Sequence, residues 1–70
     1  MRAKKYDYWV KIRDIRPPLN GNEFAATAEI HEIGNGPVEH NLGEQWGKTR
    51  EEADGKMRNI IQQWIQVNEK

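Results

Sequence analysis

The sequence predicts an α+β fold, a three-stranded antiparallel sheet with one C-terminal helix packed on one face, in the order β-β-β-α. Two stretches, residues 6–15 and 24–31, alternate apolar and polar side chains with the period of two that a half-buried strand requires. A glycine-rich breaker follows them, and then apolar residues recur at helical spacing from Ala53 to Ile65. Short connections between such elements bury one side of each strand against the helix stripe.

In the first strand, 6–15, Tyr6, Tyr8, Val10 and Ile12 form one set and Asp7, Trp9, Lys11 and Arg13 the other. Pro17-Pro18 is expected to end it, because proline cannot donate to a ladder. Leu19-Asn20-Gly21-Asn22 reads as a turn in which Asn20 or Gly21 takes a positive φ. The second strand, 24–31, turns Phe24, Ala26, Ala28 and Ile30 inward, and its alanines leave room for a closely packed helix. Gly34-Asn35-Gly36-Pro37 breaks the chain, and Val38, His40 and Leu42 suggest a short third strand over 38–42. Gly43 and Gly47 bracket Trp46, which the sequence reading folds back as a lid on the core.

Thr49-Arg50-Glu51-Glu52 is a capping box, in which the threonine oxygen accepts the Glu52 amide and the glutamate returns to the threonine amide. It starts a helix over 50–67 whose stripe is Ala53, Met57, Ile60, Ile61, Trp64 and Ile65, with Gly55 as a weak point. The expected core is Tyr8, Val10, Ile12, Phe24, Ala26, Ala28, Ile30, Leu42, Ala53, Met57, Ile60, Ile61 and Trp64. Residues 1–5 form a basic arm, and the whole of 1–70 reads as a single domain.

Composition narrows the function. Eleven basic and 11 acidic residues give no net charge, and with 36% hydrophobic and 31% charged residues in 70 the chain is small and polar, so an added interface would be valuable. There is no cysteine, hence no disulfide framework and no thiolate metal site. No segment approaches the roughly 20 apolar residues of a membrane span, and residues 1–5 lead into no apolar signal core. A soluble, cytoplasmic protein is the expectation. Serine is absent and the aliphatic hydroxyls are Thr27 and Thr49, neither beside a base, so nucleophilic catalysis has no candidate and no enzyme is expected. His31 and His40 could meet across paired strands, but they lack the spacing of a metal site. No metal and no cofactor are expected.

The segment Gly47-Lys48-Thr49-Arg50-Glu51-Glu52-Ala53, followed by Ile60, Trp64 and Ile65, resembles the Gly-x-Thr-x-Glu-Glu-Ala helix start of the HicB-type antitoxin family. The strands around Tyr8-Val10 and Phe24-Ala26-Ala28 fit that family's order, and the resemblance spans most of residues 6–65. It departs at Ile33-Gly34-Asn35-Gly36-Pro37, where the family carries a cysteine-bearing loop, and no DNA-binding extension follows the helix. The resemblance implies a protein-binding domain without the repressor part.

The remaining surface is the sheet face opposite the helix, with Trp9, Lys11, Arg13, Thr27 and His31 as candidate partner-binding residues. A tryptophan out of phase with the buried set fits either an interface anchor or packing under the arm or Trp46. The expected partner is a protein or a second copy, each Trp9 then meeting the equivalent patch across a two-fold axis. Nucleic acid is the alternative, with Trp9, Lys11 and Arg13 on the face and Arg2, Lys4 and Lys5 in the arm. Glu29 on the same face and the zero net charge weigh against it.

Overall fold

A computed structural model describes residues 5–69. It contains an antiparallel sheet and one C-terminal helix packed on it, an α+β arrangement. Strand β1 (Tyr6–Leu19) pairs with β2 (Asn22–Glu32), and β2 pairs along its other side with both β3 (Gly36–Pro37) and β4 (Glu44–Gly47). Helix α1 runs over Arg50–Asn68. The part of the basic arm at residues 1–4 lies outside the described residues.

The β1–β2 hairpin turns as its sequence requires. Asn20 and Gly21 have φ of 52° and 81° between the paired residues Leu19 and Asn22, the two positive values of a tight type I′ turn. The prolines do not end β1. Their register slips between Asp14 and Leu19, and β1 is an edge strand, so the amide hydrogens that Pro17 and Pro18 lack cost no ladder bond.

The third strand expected over 38–42 is not there. β3 pairs with the end of β2 at His31↔Pro37, while β4 pairs with its beginning at Thr27↔Glu44. Between these registers the edge chain holds three residues more than β2 has to offer, and 38–43 bulges out. The Val38 amide still donates to the Ile30 carbonyl at 2.9 Å. The next carbonyl facing that edge, Ala28, accepts instead from His40 Nε2 at 3.0 Å, and His40 Nδ1 accepts from the Leu42 amide. His40 is therefore a structural plug for the gap, bonded to the Ala28 carbonyl, whereas His31 bonds Glu29. An odd excess of residues also exchanges the two faces, so Trp46 lies in β4 opposite Ala25 on the open side of the sheet and is not a lid on the core.

The core is the contact between helix stripe and sheet. Ala26, Ile30, Ala53, Met57 and Ile61 are fully buried, with Tyr6, Tyr8, Val10, Ile12, Phe24, Ala28, Val38, Leu42, Trp64 and Ile65 packed round them. Ile60, expected among them, is half-buried at the flank of the stripe and outside this cluster. Tyr6 meets Trp64 edge-on at 5.0 Å between ring centroids. Thr49 caps the helix by accepting the Glu52 amide at 3.1 Å, but the Glu52 carboxylate accepts from the Lys48 amide, one residue before the expected one. Gly47 is buried, and a Cβ there would lie 2.6 Å from the Ala53 amide nitrogen.

Candidate functional site: the open sheet face

Alternation in β1 and β2 places Asp7, Trp9, Lys11 and Arg13 beside Ala25, Thr27, Glu29 and His31 on the face away from the helix, and β4 adds Glu44 and Trp46. All five candidate residues, Trp9, Lys11, Arg13, Thr27 and His31, thus share one surface.

Their contacts follow a single diagonal. Trp9 lies opposite Glu29 but packs edge-on against His31, with centroids 4.9 Å apart and rings at 82°. Lys11 lies opposite Thr27 but reaches Glu29 at 2.8 Å. Arg13 reaches past Ala25 to Glu44 with two parallel bonds of 3.0 and 3.1 Å, the bidentate geometry that makes such pairs strong. Strand twist shortens one diagonal of every cross-strand box, which accounts for the shared direction. His31 Nε2 donates to the second Glu29 oxygen at 3.1 Å. Lys11 first, and then His31, hold the Glu29 carboxyl below the usual carboxylate range. Thr27 sits in the middle, flanked by Lys11 and Glu44.

The result is a tryptophan that is 51% exposed, braced on one side by an imidazole and bordered by ion pairs. Trp46 is half-buried opposite Ala25, so it does not cover Trp9. Ala25 itself is fully buried although it belongs to this face, and Ile15 is nearly so. The alternation had assigned neither a buried role. The charges on the face are Asp7, Glu29 and Glu44 against Lys5, Lys11 and Arg13, and Lys11 and Arg13 are already bonded to a carboxylate.

Among the described residues no three metal-ligating side chains cluster, and no helix is long and apolar enough to cross a membrane. A groove of about 430 Å³ lies elsewhere, at the hairpin tip, lined by Asp14, Ile15, Arg16, Pro18, Glu23 and Phe24. In comparisons with known proteins, no family model, curated protein or solved structure matches this chain.

Proposed function

We propose that this chain is a small, non-enzymatic binding module that acts through protein contacts on its open sheet face. The observation that carries the reading is Trp9, half in solvent on a flat strand surface, its ring held by His31 and its surroundings occupied by paired charges. An apolar aromatic centre inside a polar rim is the usual anatomy of a protein interface. Nucleic acid is the weaker fit: phosphate needs available cations, and Lys11 and Arg13 are committed to Glu29 and Glu44 on a face with as many carboxylates as cations. On the HicB-type resemblance of Gly47–Ala53 the partner is a toxin, and a toxin gene beside this one would support that reading.

A photo-crosslinking amino acid placed at position 9 tests the proposal in extracts of the source cells, with one at exposed Val67 on α1 as the control. The expected result is a discrete protein adduct at position 9, resistant to nuclease and absent at position 67. Adducts that disappear on nuclease treatment would turn the assignment to nucleic acid.

A further inference from the structure

The outer edge of β1 is a surface distinct from the open face. The Ile33 amide donates to the Lys5 carbonyl at 3.0 Å in the register that continues Tyr6↔Glu32. Hydrogen-bonded pairs alternate along an antiparallel ladder. Lys5, Asp7, Trp9, Lys11 and Arg13 therefore turn their backbone groups toward β2, whereas Tyr6, Tyr8, Val10, Ile12 and Asp14 turn theirs outward, where among the described residues no strand lies beside β1. Unpaired edges are normally blocked by prolines or bulges. Here both devices lie beyond Asp14, at the irregular stretch containing Pro17 and Pro18, and 6–14 is regular. The helix-side residues of that stretch, Tyr6, Tyr8, Val10 and Ile12, are only half-buried, in contrast to Ala26 and Ile30 on the central strand.

We propose that two copies pair through these edges, β1 against β1, antiparallel about a two-fold axis at Val10. Charge selects that register. With Val10 opposite Val10, Asp7 faces the partner's Arg13 on both sides of the axis, Trp9 faces Lys11, and Tyr8 faces Ile12. Asp7 makes no ion pair among the described residues, and the contact requires Arg13 to turn from Glu44 to the partner's Asp7. Centring on Trp9 sets Asp7 against Lys11 but also Lys5 against Arg13, centring on Lys11 sets that lysine against itself, centring on Ile12 sets Lys11 against Arg13, and centring on Tyr8 sets Lys5 against Lys11. Of these registers the Val10 one alone opposes no like charges. Like charges directly opposite destabilise a sheet. The Val10 register also uses every outward amide and carbonyl from Tyr6 to Asp14. It makes one continuous sheet with both helices on one side and both Trp9 faces on the other. The pairing stands whether or not the open face binds a protein.

The chain has no cysteine, so single cysteines report the register cleanly. Asp7→Cys and Arg13→Cys are both exposed positions. Mixed under mild oxidation, the two variants are expected to form a covalent dimer that neither forms alone. Sedimentation of the unmodified chain over a concentration series should give twice the monomer mass, and Asp7→Lys should raise the dissociation constant at least about tenfold. A monomer at every concentration overturns the proposal. So does a covalent dimer from Trp9→Cys alone, which would mean a face-to-face or Trp9-centred arrangement. Adducts at position 9 to another protein are read separately and bear only on the open face.

Discussion

Gly47 and Gly55 flank the same helix start, yet a methyl group on each should act in opposite directions. At Gly47 the added carbon would meet Ala53 backbone at 2.6 Å and Glu52 Cβ at 2.9 Å, and backbone cannot swing aside. Gly47→Ala is expected to destabilise by about 2 kcal/mol, as overpacking does. At Gly55, exposed within α1, nothing lies within 4 Å, so Gly55→Ala should stabilise by about 1 kcal/mol through helix propensity alone. Denaturant midpoints of the two variants check both signs. In the sequence the two are equally plain glycines, and only the approach of β4 to the helix separates them. The candidate site was more legible: period two places Trp9, Lys11, Arg13, Thr27 and His31 together without coordinates. The diagonal that ties Trp9 to His31 and Arg13 to Glu44 depends on sheet twist and on Glu44, which lay outside any expected strand. Glu29 adds a pH dependence. Its carboxyl is held low by Lys11 and then His31, so its contribution is present above the ordinary glutamate range and lost as pH falls through the lowered value. Thermal midpoints should decline on acidification through that range, and should decline less in Glu29→Gln.

Among the elements, the helix and the hairpin were legible because each states its own geometry: a cap with an apolar stripe, and two alternating runs round Asn20-Gly21. The third strand was not. Val38, His40 and Leu42 alternate as a strand would, but the number of residues between Pro37 and Glu44 exceeds what β2 can pair, and that excess depends on the partner's length. The bulge leaves the Ala28 carbonyl without a ladder donor, and His40 supplies one. His40→Ala should therefore cost about 1–2 kcal/mol by orphaning a half-buried carbonyl. His40→Gln, which keeps a donor on a side chain, should recover part of that loss. Equal losses in the two variants, measured by urea denaturation, would show that ring packing rather than the hydrogen bond matters.

At the scale of the molecule, the hairpin is longer than the helix that covers it. Fourteen residues of β1 extend about 46 Å, matching the long dimension of 47 Å. Nineteen residues of α1 reach only about 28 Å. The helix spans from Asp14 and Phe24, where Arg50 lies 3.6 Å from the Asp14 carboxylate and 5.1 Å from the Phe24 ring centroid, to Tyr6, where Trp64 packs. The tip from Arg16 to Glu23 extends past the helix start, with exposed Leu19 and a groove in place of a core. Local stability follows buried apolar contact, so the molecule should open from that end. Amide hydrogen exchange under native conditions is expected to show Leu19, Asn22 and Glu23 exchanging well before Thr27 and Glu29, whose amides bond β1 in the stretch that lies under Met57 and Ile61. Uniform protection along β2 would mean that the tip is held by something other than the helix. In the dimer proposed above, the outward amides of Tyr8, Val10 and Ile12 should also gain protection as concentration rises, while the tip remains as fast as before.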